Sequence, residues 1–177
     1  MSDDTQPRQA PIPPDDPQRD LAVARPEEDQ VLRHISLAGD TYTILLDGGQ
    51  TAGRYTLIDM FVPPGGGPPP HRHDFEEMFS VLEGEIEVTF RGEKVVARAG
   101  ETVNVPASAP HSFTNASDRP ARLLCVCSPS GQEEFFEAVG DQVPSRTAPP
   151  PDLDEAAIAA RMARAEELAP KYRTELL

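Results

Sequence analysis

The sequence predicts an all-β fold in which short antiparallel strands close into a barrel or a double sheet, followed by short C-terminal helices. Runs rich in β-branched and aromatic residues recur between about residues 31 and 128. Turn residues separate these runs about every 8–12 residues, which is typical of a sandwich or barrel. Apolar and polar residues alternate within the runs, as in half-buried strands. At 177 residues the chain has the length of one ordinary domain.

The predicted strands are punctuated by glycines at positions where a turn favours a positive φ, namely Gly48-Gly49, Gly84, Gly92 and Gly100. Between these turns the chain supplies enough strands to close a barrel or form a double-sheet barrel. The strands are predicted at residues 42–46, 54–62, 77–82, 85–90, 94–97, 102–105, 111–114 and 122–127.

Four segments follow from the composition. Residues 1–30 are acidic and proline-rich with almost no apolar periodicity, which predicts a disordered tail. Residues 31–140 form the barrel together with a short closing helix, whose apolar stripe contains Phe135 and Phe136. Residues 141–151 are a proline-rich linker. Residues 152–177 form a helical segment, in which the spacing of Asp152 and Glu155 resembles a capping box.

The charge of the chain argues against two classes of partner. There are 30 acidic and 16 basic residues, which gives a net charge of -14. Such a field repels phosphate backbones and anionic lipid heads, so the sequence predicts neither nucleic acid nor a membrane as a partner. No run approaches the roughly 18 apolar residues of a spanning helix, and the N-terminus lacks the features of a secretion signal. A cytoplasmic location is expected.

The two cysteines, Cys125 and Cys127, lie two apart in a predicted strand. Their side chains would point to the same side, where a bridge between them would be strained. We expect buried free thiols in preference to a disulfide or a metal-binding pair.

A candidate metal site begins at His71 and His73, just before a predicted strand. Side chains alternate along a strand, so these histidines share a face with Glu77 and the apolar Phe79, whereas Glu76 points the other way. The apolar face is the inward one, and an inward carboxylate needs a partner. Imidazole and carboxylate donors suit a divalent Fe, Mn, Ni, Co, Cu or Zn ion. For any one of these histidines alone, an ordinary strand-end residue bonded to a carbonyl would be the better interpretation.

A further donor, His111, opens another predicted strand and shares its parity with the apolar Phe113. With it, three of the four histidines of the chain fall into one candidate site. Asn115, close behind, could orient a ligand or hold the turn that follows, and the turn is the simpler explanation.

These residues carry a resemblance to the cupin superfamily. GGGPPPHRHDFEEMFSVLEG resembles its first motif through Gly65, His71, His73, Glu77 and Gly84, with every spacing met. GETVNVPASAPHSFTN resembles the second through Gly100, Pro106, His111 and Asn115. Ser108 departs from the pattern, since that motif has glycine there, at a position that serves a turn and not the metal. Residues 38–128 carry the resemblance, which extends to small single-domain bacterial cupins of the quercetin dioxygenase-like group.

The resemblance implies a jelly-roll β-barrel, commonly a homodimer, with a metal held by His71, His73, Glu77 and His111. Three imidazoles and one carboxylate leave two positions free on a six-coordinate ion, enough for a bidentate small molecule. We therefore expect a metal-dependent oxygenase for a hydroxy-keto, phenolic or enolic compound, with Glu77 as the catalytic proton acceptor. The alternatives are a metal-dependent isomerase or epimerase, and a non-catalytic cupin that binds or senses a small molecule.

Overall fold

The computed structural model describes residues 11–177, and the part of the predicted tail at residues 1–10 lies outside it. Residues 11–30 contain turns but neither strand nor helix, and most of them are exposed. Within the described chain the strands are β1 Arg33–Leu37, β2 Asp40–Leu46, β3 Thr56–Val62, β4 His71–His73, β5 Glu76–Glu83, β6 Glu85–Phe90, β7 Glu93–Arg98, β8 Thr102–Val105, β9 His111–Thr114, β10 Ala121–Ser128, β11 Asp141–Gln142 and β12 Thr174–Leu176. The helices are α1 Gln132–Val139, α2 Glu155–Leu168 and a short 3-10 helix, Ala169–Tyr172.

The strands form two antiparallel sheets that face each other. One has the order β11-β1-β2-β3-β10-β5-β8, and the other has the order β12-β4-β9-β6-β7. This all-β arrangement is the double-sheet barrel expected from the sequence. Each of the predicted strands coincides with an observed one, because its apolar positions alternate and a turn bounds it.

The core lies between the sheets and is made by the inward positions of their strands. Strand β10 shows this clearly, since Ala121, Leu123, Cys125 and Cys127 are buried while the residues between them are less so. Phe79 on β5 meets Phe113 on β9 across the barrel, edge to face, with ring centroids 5.2 Å apart. Two of the three strands that supply metal-ligand candidates, β5 and β9, are therefore joined across the sheets by an aromatic contact.

The histidine-rich segment is not continuous with the strand that follows it. Strand β4 carries His71 and His73 in the five-stranded sheet, whereas β5 carries Glu77 in the seven-stranded sheet. The chain crosses between the sheets at Asp74 and Phe75, and Phe75 is buried against His73 in a stacked contact with centroids 3.8 Å apart. The inward direction predicted from strand parity nevertheless holds on both sides of the crossing.

The helices lie at one end of the barrel. Helix α1 buries Phe135, Phe136 and Val139 and ends before Gly140, as its apolar stripe predicts. Helix α2 is capped by Asp154, whose carboxylate accepts a hydrogen bond from the Ala157 amide at 2.8 Å. The predicted cap, Asp152, is two residues too early, because the spacing alone does not show where the chain turns into the helix.

The chain after α2 returns to the barrel and ends in β12, which pairs with β4. Thr174 lies opposite His73, and Leu176 lies opposite His71. The C-terminal segment is thus partly strand, and this strand contacts the histidine-bearing one.

Two observations bear on the remaining expectations. Cys125 and Cys127 are buried free thiols, as predicted, with their sulfur atoms 3.6 Å apart. Among residues 11–177, no helix has both the length and the apolar character needed to cross a membrane.

Candidate metal centre and its cavity

Four side chains predicted from the sequence converge inside the barrel. His71 and His73 come from β4, His111 from β9 and Glu77 from β5, and one ligand atom from each lies within 4.8 Å of the others. All of them are buried. His71 lies opposite His111 in the β4–β9 pairing, so backbone hydrogen bonds fix the spacing of these two rings.

Each of the three histidines is oriented by a backbone carbonyl. The Nδ1 atoms lie 2.8 Å from Pro69 O for His71, 3.0 Å from Phe75 O for His73, and 2.9 Å from Ala109 O for His111. A carbonyl only accepts, so each Nδ1 carries a proton and donates it. In the neutral ring the lone pair is then on Nε2. This tautomer and this use of the second ring nitrogen are typical of histidines that bind metals.

Glu77 lies where these lone pairs meet. Its Oε2 is 3.0 Å from His73 Nε2 and 3.1 Å from His111 Nε2. Neutral imidazole lone pairs and a carboxylate oxygen repel one another at this distance, so a cation must lie between them, either a proton or a metal ion. The other carboxylate oxygen of Glu77, Oε1, accepts a weak hydrogen bond from the Cys125 thiol at 3.4 Å.

The electrostatics of the cluster favour an ionised carboxylate. Burial alone would raise the pKa of Glu77, but hydrogen bonds from His111 and His73 and the nearby imidazole charges outweigh it and hold the pKa well below its usual range. Burial lowers the pKa of His71 to about 4, so this ring is neutral at physiological pH. Burial would also lower the pKa of His111, but the hydrogen bond and charge of Glu77 outweigh burial and raise this pKa. The ionised Glu77 and the neutral His71 thus have the protonation state that a divalent metal requires, and a metal that binds would displace any proton held between His111 and Glu77.

The neighbouring residues take the places that parity predicts. Glu76 points outwards and accepts hydrogen bonds from the Asn104 side chain at 3.0 Å and the Ala107 amide at 3.1 Å, so it is not part of the cluster. Asn115 is buried, and its amide group donates to Val62 O and Arg119 O while its Oδ1 accepts from Ser117. It holds a turn, as expected, and does not reach the histidines.

A cavity of about 590 Å³ opens beside the cluster and reaches His71 and Glu77. This volume suits a small molecule. Its wall is mostly apolar, with polar residues from the strands, from both helices and from the segment before α2. The lining residues include Met60, Phe79, Phe113, Phe135, Phe136, Val139, Ile158 and Met162, with Tyr42, Asp152, Arg161 and Glu166 among the polar ones. Helix α2 buries none of its residues and covers one side of this cavity.

Sequence reasoning missed a polar pair on the wall of the cavity. Tyr42 lines the cavity and donates a hydrogen bond from its hydroxyl to Asp40 Oδ2, 3.1 Å away. Both residues are buried, on the inward positions of β2. The signal was present in the alternation Asp40, Tyr42, Ile44, which places a carboxylate on an apolar face.

Comparison with known proteins supports the arrangement. Residues 58–127, which contain all four clustered side chains, match the family described as Cupin domain. Polyketide synthase CurC of Streptomyces cyaneus is 32% identical over 110 residues, which make up 60% of this chain and 70% of CurC. Quercetin 2,3-dioxygenase of Bacillus subtilis is 28% identical over 109 residues, or 61% of this chain and 32% of that enzyme. The chain therefore spans about a third of the dioxygenase.

A solved structure extends the likeness beyond the barrel. The structure of the polyketide cyclase RemF from Streptomyces resistomycificus matches with a TM-score of 0.54 and 21% identity. The match covers 84% of this chain and 98% of RemF. At this level of identity the likeness concerns the fold.

Proposed function

Because this chain belongs to the cupin family, we propose that it is a metal-dependent oxygenase for a small hydroxy-keto, phenolic or enolic compound. The proposed metal ligands are His71, His73, Glu77 and His111, with Fe, Mn, Ni, Co, Cu or Zn as the ion. One observation carries the proposal. Three clustered imidazoles commit their Nδ1 protons to carbonyls, and the Nε2 atoms of His73 and His111 lie about 3 Å from a buried carboxylate.

The residues of the chain fit this chemistry. A bound divalent ion would act as a Lewis acid that acidifies a coordinated hydroxyl group. Phe79, Phe113 and Met60 form an apolar wall that keeps water away from the bound compound. Glu77 is held ionised beside them by its hydrogen bonds to the histidines. If it turned from the cluster towards the cavity it would lose these bonds, its pKa would rise, and Oε2 would become able to accept a proton. The relationship to quercetin 2,3-dioxygenase supports a polyphenolic or enolic compound.

Metal content tests the first half of the proposal. We expect the purified wild-type protein, exposed to each first-row ion and then desalted, to retain about one equivalent, and His111→Ala to retain little. The matched control is His34→Ala, which removes the histidine outside the cluster, half-buried beside Thr43. Equal metal content in wild type and His111→Ala would refute the site.

Oxygen uptake tests the second half. The metal-loaded protein is given flavonols, catechols and β-diketones in an oxygen electrode. We expect uptake with at least one of these compounds, and none with His111→Ala. Turnover at the same rate under strict anaerobiosis would refute the oxygenase and leave the metal site standing.

A second candidate function is non-oxidative. The 32% identity to a polyketide synthase favours a keto compound that the metal site would enolise, followed by isomerisation or ring closure without oxygen. Exchange of the α-protons of a β-diketone for deuterium in anaerobic buffer, dependent on His111, would distinguish this function from the oxygenase. A non-catalytic protein would bind the same compounds and change none of them.

Two other expectations stay predictions. A homodimer would cover exposed apolar residues such as Val95 and Val96 on β7, at the edge of the five-stranded sheet. Sedimentation equilibrium measures it directly. Cytoplasmic location is likewise a prediction, and cell fractionation measures it.

A further inference from the structure

The pair formed by Asp40 and Tyr42 is the part of the cavity that the metal centre leaves unexplained. Asp40 has 0% exposure, and its Oδ1 has no hydrogen bond of ordinary geometry within residues 11–177. Its Oδ2 accepts the Tyr42 hydroxyl at 3.1 Å. A buried carboxylate that is only half satisfied costs stability, so its retention points to a role in function.

The surroundings of Asp40 contain groups that stabilise its charged form, but its burial favours the neutral form. Burial raises its pKa to about 7, although the Tyr42 hydroxyl and the Gly67 amide both favour the charged form. Within residues 11–177, none of the groups that shift the pKa of Asp40 is a cation. Of the titratable groups nearby, Glu77 and Cys125 act on Tyr42. His71, Asp152, Arg161 and Glu166 lie elsewhere on the cavity wall.

The position of Tyr42 connects the pair to the cavity. Its ring stacks on Phe136 of α1 with centroids 4.4 Å apart, which fixes the ring in one orientation. Tyr42 lines the same cavity as His71 and Glu77, whereas Asp40 lies behind it. Since the tyrosine hydroxyl is bonded to Asp40, Tyr42 is the residue that connects the cavity to the carboxylate.

We propose that Tyr42 is a catalytic residue of the cavity and that Asp40 is its proton acceptor, a role that rests on the function proposed above. The hydroxyl of the bound compound gives its proton to Tyr42 Oη as Tyr42 gives its own proton to Asp40 Oδ2. The O–H bond of the compound breaks as a new one forms on Tyr42 Oη, and the original Tyr42 O–H bond breaks as one forms on Asp40 Oδ2. The compound therefore gains one negative charge, Asp40 loses one, and Tyr42 is unchanged. In this scheme Asp40 takes the proton in place of Glu77, which stays with the metal.

Proton counting with a chromophoric catechol tests the proposal. The probe is 4-nitrocatechol, added to zinc-loaded protein, and protons released to solvent are measured with a pH indicator in weak buffer. The negative charge left on the probe raises the pKa of Asp40 further, so Asp40 keeps the proton. At pH 8 we expect wild type to release about one proton fewer per bound probe than Asp40→Asn. At pH 5.5 Asp40 is already protonated, and the difference should vanish.

Binding affinity tests the contact of Tyr42. Tyr42→Phe keeps the stack on Phe136 but loses the hydroxyl, and we expect the probe to bind about tenfold or more weakly, as for a lost hydrogen bond to a charged group. Tyr55→Phe is the matched control, since Tyr55 is exposed and does not line the cavity. It should bind as wild type does.

The outcomes separate this proposal from the one on which it rests. Equal proton release by wild type and Asp40→Asn at pH 8, or equal affinity of wild type and Tyr42→Phe, overturns the role of that residue while the metal centre stands. If the zinc-loaded wild type does not bind the probe at all, the proposed function fails and this role fails with it. Circular dichroism of each variant confirms that a loss of binding is not a loss of the fold.

Discussion

At the scale of single residues, Ser108 shows how the structure accommodates a departure from a motif. It has a φ of 66°, in the left-handed region that favours glycine. Its amide donates to His73 O at 2.6 Å, so the strained turn holds the strand that bears two of the histidines. The backbone therefore has the conformation that glycine would favour, and this left-handed conformation is strained for Ser108.

Replacing this serine should stabilise the protein. Ser108→Gly removes a left-handed cost of about 1–2 kcal/mol and adds about 0.5–1 kcal/mol of backbone entropy, which leaves a gain of roughly 0.5–1 kcal/mol in the free energy of unfolding. Urea denaturation measures it. Ser80→Gly, in the middle of β5, is the control and should lose stability. A less stable Ser108→Gly protein would contradict the argument.

The raised pKa of Asp40 predicts that the free energy of unfolding depends on pH. Its pKa is about 7 in the folded state, against about 3.9 for an unfolded aspartate. The folded state binds more protons between these values, so stability is fully present below pH 4 and is lost as the pH rises through 7. Asp40→Asn cannot ionise and should be the more stable protein at pH 8, by on the order of 2–4 kcal/mol.

Denaturation of both proteins from pH 4 to pH 8 measures this effect. The advantage of Asp40→Asn should grow with pH and be small or reversed at pH 4. Asp47→Asn, a surface aspartate beside Arg33, controls for the change of residue type. A difference between wild type and Asp40→Asn that does not change with pH would contradict the burial argument.

At the scale of elements, the pairing of β12 with β4 links the C-terminal segment to the metal centre. Glu175 lies opposite Arg72, between the two histidines, and their side chains form an ion pair on the outer face. The amide of Leu177 donates to Pro70 O at 2.9 Å, and that of Asp74 donates to Arg173 O at 3.2 Å. Strand β4 has β9 on its other side, where one residue pair holds it, so much of its order comes from β12.

Breaking this pairing should weaken metal binding at a distance from the ligands. Glu175→Pro removes a backbone donor from β12, and we expect about a tenfold or greater loss of zinc affinity, since the ligand strand is then less well ordered. Glu175→Ala also loses the ion pair to Arg72 but keeps the strand, so it should bind zinc as wild type does. Isothermal titration with zinc compares the two, and equal affinities would show that β12 does not support the site.

These elements also show what the sequence could and could not predict. Strand β6 was predicted with its bounds, because Ile86 and Val88 alternate with polar residues and glycines end the run on both sides. Strand β4 has three residues and follows prolines, so it has no period to detect. Strand β12 is defined by its partner about a hundred residues earlier in the chain, and no local pattern encodes such a pairing.

The residues of the candidate site also fall into those that the sequence could predict and those that it could not. His71, His73, Glu77 and His111 could be found because their spacing and parity are local properties of two short segments. The Asp40–Tyr42 pair could not, because its meaning depends on what lies across the barrel. The helix over the cavity could be predicted as a helix, but its place could not, since it buries none of its own residues.

At the scale of the whole molecule, the candidate metal centre lies between the two sheets. Three of the proposed ligands come from the five-stranded sheet and Glu77 comes from the seven-stranded one. A bound ion would therefore hold the halves of the barrel together, in addition to the apolar core between them. Its binding energy would appear in the stability of the entire barrel.

Metal should accordingly raise the melting temperature of the protein as one cooperative unit. With free zinc at about 100 times its dissociation constant, we expect about 2.7 kcal/mol of added stability. Differential scanning calorimetry with zinc and with a chelator measures it, and His34→Ala should respond as wild type does. His111→Ala should not respond, and an equal response of both variants would place the zinc elsewhere.

The late position of β12 in the chain bears on when the protein becomes active. Strand β4 emerges from the ribosome about a hundred residues before the strand that flanks it, and during that interval its histidines lie at an open sheet edge. Contacts of such long sequence separation form slowly. An ion that arrives before β12 pairs would meet the four proposed donors while the strand that carries His71 and His73 still lacks one of its neighbours. The cell would thus load this protein after translation, from whichever metal pool the finished barrel encounters.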